Sequence, residues 1–291
     1  MRMRPRAAFA PGGERTLAVR AALALVGAAA LAPQASLAQS DGARPDAAPS
    51  VSVTRGTDDV PRTADGRPDL SGIWIATSAL GLLEGMDALQ AARAADREAG
   101  RELPRNEPPP YKPEAEALRQ QYLDRQGIDD PMARCLLSGV PRINTRPLPF
   151  EIVQLPDRVI ILYEVHHAFR IIPTDGRGHP DDVVLTYLGD SVGRWEGDTL
   201  VVEVVGFNEN TWLAGTGTHH SDQMRVVERW TRDSPETILY EVEIDDPVVF
   251  EKPWRMYDVF RLRPNERIRE YECIESNEDI VRFEELLRSG D

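Results

Sequence analysis

The second half of the chain alternates short apolar runs with turn signals. From about residue 147 the runs are rich in Val, Ile, Tyr and Phe, and Gly, Pro, Asp and Asn separate them. A helical pattern returns only at 279–288, where we expect a short C-terminal helix. Sequential strands without crossover helices predict a mainly β fold, an antiparallel meander that closes into a β-barrel. The runs predicted as strands are Phe150–Gln154, Arg158–Glu164, His167–Pro173, Thr199–Phe207, Gln223–Thr231, Thr237–Ile244, Trp254–Leu262 and Arg267–Ile274.

The region before these strands has a different pattern. A strand-like cluster lies at Gly72–Ile75, and an Ala-rich, helix-favouring stretch covers 82–103. The prolines that follow must end this helix, and Pro113 stands where a second helix can begin. We therefore predict an N-terminal arm with two helices over 67–145, followed by a barrel domain with its C-terminal helix over 146–291.

The first 38 residues have the pattern of a secretory signal peptide. Arginines precede the apolar run Ala21–Ala32, and small residues lead up to Ala38. This run is too short to span a bilayer, which needs about 20 apolar residues. We expect cleavage near Ala38, a periplasmic or secreted protein and no stable membrane association afterwards; an uncleaved anchor is the alternative. Residues 39–66, rich in Pro, Ala, Asp and Ser, are predicted to form a flexible leader.

The charge balance limits the class of partner. The 291 residues include 34 Lys and Arg against 48 Asp and Glu, which gives a formal net charge of −14. Loss of five arginines and one glutamate with the signal peptide would deepen the net charge further. A nucleic-acid binder needs a basic footprint, so we expect no nucleic-acid partner and instead a small-molecule ligand or substrate.

Cys135 and Cys273 are the two cysteines of the chain. In an oxidising compartment an even pair of cysteines favours a disulfide, which here would close a very long loop. Two buried free thiols are the alternative, because one sequence does not show that the residues are close.

Several segments resemble a large family of exported bacterial proteins of unknown function. The strongest is GRWEGDTLVV at 193–202, and others are RTADGRPDLSGIW at 62–74, RCLLSGVPR at 134–142 and PFEIVQLPDRVIILYE at 149–164. The resemblance implies a secreted, single-domain β protein and implies no activity. Gly193-Arg194-Trp195 also resembles the Gly-x-Trp of lipocalin and calycin barrels, which suggests a lipocalin-like barrel.

Four of the five histidines occur in two doublets. Adjacent side chains on a strand point to opposite faces, so at most one of His166 and His167 can enter the barrel. We expect His167 to point inward, because it shares a face with Phe169 and Ile171. His220 follows a Gly/Thr-rich loop of the kind that lines a barrel mouth. His167 and His220 are candidate catalytic residues and weak candidates for zinc or iron ligands; ordinary hydrogen-bonded histidines are the alternative.

Three acids have apolar neighbours at alternate positions: Glu203, Glu228 and Asp258. Burial raises the pKa of a carboxyl group that has no partner, and a raised pKa suits a general acid. We take Glu228 and Asp258 as candidate catalytic residues and Glu203 as a candidate substrate contact. The alternative is an internal ion pair with an arginine, for which the candidates are Arg170, Arg225, Arg261 and Arg269.

Arg170 and three tryptophans complete the predicted site. Arg170 would hold an anionic group, and Trp195, Trp212 and Trp230 would contact a flat, aromatic or polycyclic molecule. The first hypothesis is an enzyme of the lyase or isomerase type, which performs acid–base chemistry on a small, largely apolar molecule inside the barrel without cofactor or metal. A ligand carrier without chemistry and a metal-dependent enzyme are the alternatives.

Overall fold

The computed structural model describes residues 59–79, 86–101, 103–106, 108–125, 127–277, 285 and 288. The predicted signal peptide, most of the leader and most of the helix at 279–288 lie outside these residues. The helices are α1 (Met86–Glu98), α2 (Pro113–Asp124) and α3 (Cys273–Ser276). The strands are β1 (Gly72–Ala76), β2 (Phe150–Leu155), β3 (Arg158–Tyr163), β4 (Phe169–Pro173), β5 (Asp190–Glu196), β6 (Thr199–Val205), β7 (Trp212–Ala214), β8 (Thr218–His219), β9 (Arg225–Ser234), β10 (Thr237–Asp245) and β11 (Trp254–Leu262).

Nine of these strands form one antiparallel sheet that nearly closes into a barrel, which confirms the predicted fold class. The strand order is β4-β3-β2-β1-β11-β10-β9-β6-β5, while β7 and β8 pair separately. β1 pairs with β2 on one side and β11 on the other. The segment predicted as an arm therefore contributes a strand to the barrel itself.

β4 and β5 are the two ends of this strand order, and side chains join them. Nη2 of Arg170 on β4 donates to Oγ of Ser191 on β5, at 3.0 Å. Farther along, Gly193 leaves room for Ile172, since a Cβ at Gly193 would lie 2.9 Å from Cγ2 of Ile172. In the part of the chain that the structure describes, the two strands form no backbone ladder. We call this side-chain closure the seam.

Alternation along the strands places large side chains inside the barrel. On β9, Val226, Glu228 and Trp230 are buried, whereas the residues between them are half-buried. The Trp230 ring lies 4.9 Å from the ring of Tyr240 and 5.1 Å from that of Phe260, measured between centroids. Burial of these faces stabilises the barrel by the hydrophobic effect. The interior is a packed core, which does not favour a ligand at its centre.

The helices agree in part with the sequence pattern. α2 begins at Pro113 as predicted, where the missing N–H of proline has no cost. α1 ends at Glu98, before the end of the Ala-rich stretch that predicts it. Its buried Asp96 accepts a hydrogen bond from Arg261 of β11 at 2.7 Å, which attaches the helix to the barrel.

Two strand predictions need correction. β4 begins at Phe169 and not at His167, because Val165–His167 form a tight turn in which His166 and His167 have positive φ. The predicted strand Arg267–Ile274 is wrong, since the chain leaves the sheet after β11 and residues 267–272 have no regular structure before the short helix α3.

Cys135 and Cys273 form a disulfide, as predicted, with a Cα–Cα distance of 5.6 Å across a sequence separation of 138. The bond ties the segment after β11 to the turn Pro131–Arg134. Among the described residues, no helix has the length and apolar character needed to cross a membrane.

Candidate functional site

Glu228 lies at the centre of the barrel interior and is 0% exposed. Its Oε2 accepts a hydrogen bond from Nη2 of Arg170 at 2.6 Å. Its Oε1 accepts from Nδ2 of Asn144 at 2.7 Å and from the Tyr240 hydroxyl at 2.8 Å. The Tyr163 hydroxyl donates to Oδ1 of Asn144 at 2.6 Å and so extends the network.

The charges of this network stabilise each other. Burial opposes the charge on Arg170, but the Glu228 carboxylate and Tyr163 raise the pKa of the guanidinium above its usual value. Burial raises the pKa of Tyr163 to about 12 and that of Tyr240 well above 10.0, so both phenols stay protonated and act as donors. Arg170 and Glu228 therefore form the internal ion pair that was the alternative to catalysis. Their side chains fill the place where the sequence suggested a substrate.

Asp258 is buried, as its apolar neighbours predict, and it pairs with no arginine of the described chain. Its carboxylate accepts from the Ser78 hydroxyl and from the backbone N–H of Val259 at 2.8 Å. Burial raises the pKa of this carboxyl group, and the Ser78 hydrogen bond opposes the shift. The group holds the middle of β11 against the chain that follows β1.

The remaining predicted contacts are dispersed. Glu203 points out of the barrel and pairs with Arg225 at 2.7 Å, which lowers the pKa of Glu203. Trp195 is half-buried beneath the guanidinium of Arg67. Trp212 packs on Tyr122, with 4.7 Å between ring centroids, and Trp230 belongs to the core. The structure therefore does not bring Glu203 and the three tryptophans together around one cavity.

His220 is buried with both ring nitrogens occupied. Nδ1 donates to the backbone carbonyl of Ser221 at 2.9 Å, and Nε2 accepts from the Thr211 hydroxyl at 2.5 Å. Burial lowers the pKa of His220, so the ring is neutral near pH 7. This is the arrangement of an ordinary hydrogen-bonded histidine.

The expectation that His167 points inward is wrong. Its side chain is 45% exposed, and its Nε2 accepts a hydrogen bond from the backbone N–H of Tyr271 at 3.0 Å. The turn before β4 reverses the assumed alternation, so Arg170 and Ile172 face the interior while Phe169 and Ile171 face solvent. His167 and His220 thus have separate, unrelated partners.

A cleft of about 500 Å³ lies at the end of the barrel where β2 begins and β3 ends. We call it the end cleft. Four segments surround it: 127–133, 142–148, the turn Val165–His167 and the stretch after β11. Its lining includes Met132, Pro147, Leu148, Val165, Tyr271 and Cys273 as well as the charged or titratable side chains of Asp130, Arg142, Arg146 and His166.

One short turn connects the barrel network to the end cleft. In Arg142–Thr145, Asn144 points into the barrel and reaches Glu228, while Arg142 lines the cleft. Arg142 is itself neutralised by Asp130 through two hydrogen bonds, of 2.9 and 2.7 Å. The hydrogen bonds of the Asn144 side chain inside the barrel therefore hold the backbone of this turn, and Arg146 follows it directly.

Arg146 and His166 each bring one unpaired buried nitrogen to the end cleft. Among the described residues, the buried Nε of Arg146 and the buried Nε2 of His166 have no hydrogen-bond partner. Burial and the neighbouring Arg142 lower the pKa of Arg146, while Asp130 opposes this shift. Burial, Arg146 and His167 lower the pKa of His166. The arrangement combines a guanidinium that forms no ion pair among the described residues with a neutral imidazole.

His166 also has strained backbone geometry. Its φ of 58° lies in the left-handed region, where a residue with a Cβ is uncommon. Such strain persists only where the surroundings impose it, and it is often found at functional sites. The His doublet and the Arg-Pro pair at 146–147 were the available sequence signals for this site, but the alternation rule favoured His167, whose side chain is largely exposed.

No group of three or more His, Cys, Asp or Glu side chains that could hold a metal ion occurs among the described residues. A comparison of the chain with protein families, with curated proteins and with solved structures gave no match. The resemblance to the exported bacterial family therefore remains a prediction, and the function must be argued from the site.

Proposed function

We propose that the protein binds a small organic anion in the end cleft, with Arg146 as the anchor for the anionic group. The observation that carries this proposal is a pair of buried nitrogens, Nε of Arg146 and Nε2 of His166, that have no hydrogen-bond partner among the described residues and belong to two residues lining the same cleft. A buried donor without a partner is costly, and a carboxylate or similar anion would supply both charge and acceptors.

The rest of the lining supports an organic ligand of moderate size. A volume of about 500 Å³ is within the range of small-molecule sites. Met132, Leu148 and Val165 offer apolar surface, and Tyr271 offers an aromatic ring. We keep the predicted ligand class, a small and largely apolar molecule with one anionic group. The proposed binding site is the end cleft and not the barrel interior.

Binding of 1-naphthoate tests this proposal, with the neutral 1-naphthamide as its matched ligand. Isothermal titration calorimetry should detect naphthoate binding that Arg146→Gln weakens roughly 10- to 100-fold, the range expected for a hydrogen bond to a charged group. Arg134→Gln, at an exposed arginine outside the lining, is the charge-matched control and should bind normally. Equal affinity of the two variants, or equal binding of acid and amide, would contradict an anion site at Arg146.

Acid–base catalysis on the bound molecule is a second candidate function, and His166 is the observation that favours it. Its lowered pKa leaves the imidazole neutral and able to accept a proton near pH 7. Ring opening of 5-nitrobenzisoxazole requires only that a base remove one proton, so it serves as a probe. The native protein should open it at least about tenfold faster than His166→Asn does. Equal rates for the native protein and His166→Asn would contradict catalysis by His166 and favour a ligand carrier that performs no reaction.

We infer that the protein acts outside the cytoplasm. The signal-peptide pattern of the first 38 residues suggests export. The disulfide between Cys135 and Cys273 supports this inference, because such bonds persist in oxidising compartments.

A further inference from the structure

The segment after β11 forms one wall of the end cleft and has little regular structure. We call residues 269–277 the strap. Tyr271, Cys273 and Asn277 of the strap line the cleft. Apart from the four residues of α3, the strap contains no helix or strand. Its position therefore depends on individual attachments and not on a sheet.

Hydrogen bonds to three neighbouring segments hold the strap on the barrel end, and Oε1 of Glu272 lies 3.7 Å from Nδ1 of His167. The N–H of Arg269 donates to Oε2 of Glu164 at 2.9 Å, and the N–H of Tyr271 donates to Nε2 of His167 at 3.0 Å. Nδ2 of Asn277 donates to the carbonyl of Ala133 at 2.9 Å. Apolar packing adds little at its helix, where Ile274 is 70% exposed. Tyr271 packs against the core with a partly buried side chain. Partly exposed hydrogen bonds and limited apolar packing allow local opening.

The disulfide is the strong attachment, and it joins two walls of the cleft. Cys273 belongs to the strap, whereas Cys135 follows the turn Pro131–Arg134, which contributes Met132 and Ala133 to the opposite wall. Both cysteines are half-buried and lie outside the hydrophobic core of the barrel. The bond that closes the end cleft is therefore also one that a reductant could cleave.

We propose that the Cys135–Cys273 disulfide is a redox switch for the end cleft, an inference that rests on the proposed anion-binding function. A dithiol reductant supplies two electrons and two protons, so the S–S bond becomes two thiols while the dithiol becomes a disulfide. The strap is then free to leave the barrel end, and Tyr271 no longer covers the cleft. Affinity for the anion falls, because the walls around Arg146 separate.

The test compares the oxidised protein with the same protein reduced by dithiothreitol. We expect 1-naphthoate affinity to fall at least about tenfold on reduction, and Cys135→Ser/Cys273→Ser to show the low affinity with or without reductant. Hydrogen exchange supplies the second measurement. On reduction the amides of Arg269 and Tyr271 should exchange faster, while those of β10 stay protected.

The outcomes separate the two proposals. Equal naphthoate affinity before and after reduction overturns the redox switch and leaves the anion site intact. Absence of Arg146-dependent binding to the oxidised protein overturns the proposed function, while hydrogen exchange still reports whether the strap is released. Loss of protection over β10 as well overturns the switch, because the bond would then hold the whole fold and not the strap.

Discussion

The carboxylate of Glu228 is stable inside the barrel because donors surround it. Both oxygens accept hydrogen bonds, and Arg170 supplies the compensating charge at 2.6 Å. Removal of one partner from a buried ion pair is destabilising by about 3–5 kcal/mol, whereas a partly exposed pair such as Arg225 and Glu203 contributes less. An ion-paired glutamate thus contributes much to stability inside the barrel, as Glu228 does, and little on its outer face, as Glu203 does.

Asp258 gives a pH dependence whose sign follows from its burial. Its pKa in the folded protein is raised above the ordinary value of 3.8. The associated stabilisation is fully present below about pH 4 and is lost as the pH rises through the folded pKa. We expect Asp258→Asn, which keeps hydrogen-bonding atoms but cannot ionise, to gain stability relative to the native protein between pH 4 and pH 7. Urea unfolding at each pH measures this difference.

Asp222→Asn is the control for this measurement, because Asp222 is exposed. A difference between Asp258→Asn and the native protein that stays constant across this pH range would show that the burial of Asp258 does not affect its ionisation.

His166 predicts a pH dependence of binding. In the free protein burial and Arg146 lower its pKa, whereas a bound anion beside the ring would raise it. Naphthoate should therefore bind more tightly as the pH falls through the pKa of the complex, and this gain should level off below the pKa of the free protein. Calorimetry between pH 8 and pH 5 checks the effect, and His166→Asn should bind with a flat profile. If the naphthoate affinity of both proteins changed equally with pH, a group other than His166 would take up the proton on binding.

Among the secondary-structure elements, the seam between β4 and β5 depends on the absence of a side chain at Gly193. A Cβ there would lie 2.9 Å from Cγ2 of Ile172 and 3.1 Å from Cγ2 of Thr174. We expect Gly193→Val to force the two strands apart and to lower the free energy of unfolding by about 1–3 kcal/mol, as overpacking does. Urea denaturation gives the value, and Arg194→Val, at an exposed position of the same strand, should change it much less.

The strands were more predictable than the site. Alternation of apolar residues locates β9, β10 and β11, because one face of each is buried in the barrel. The rule fails at His166 and His167, where positive φ interrupts the alternation before β4. It also missed β5, in which Gly193 and charged residues dilute the apolar pattern.

The candidate site was harder to predict than the strands because its contacts join residues that are far apart in the sequence. The partnership of Glu228 with Arg170 spans 58 positions, and that with Asn144 spans 84. Local patterns show that an acid is buried but not which partner it meets. The end cleft is built from four separate segments, so neither its volume nor the unpaired Nε of Arg146 could be derived from sequence spacing.

For the whole molecule, the acidic balance and the N-terminal pattern lead to one prediction about processing. Cleavage after Ala38 would give a mature chain that begins at Gln39. Intact-mass analysis of the protein from a periplasmic fraction should show this product. Leu25→Arg, which interrupts the apolar run of the signal, should leave the full-length chain in the cytoplasm, whereas Leu25→Ile should be processed normally. A full-length native chain in the membrane fraction would favour the uncleaved anchor.

The seam also determines how the molecule can aggregate. A fully hydrogen-bonded barrel has no edges, but this one keeps two, β4 and β5, which side chains such as Arg170 hold together. When the seam opens, the backbone of β4 is available to a strand of another copy, and its outer face already exposes Phe169 (61%) and Ile171 (48%) to solvent. Intermolecular strand addition at β4 is therefore the first step we expect on heating, before the barrel unfolds. The acidic surface slows this step by repulsion between copies, so added salt should accelerate it.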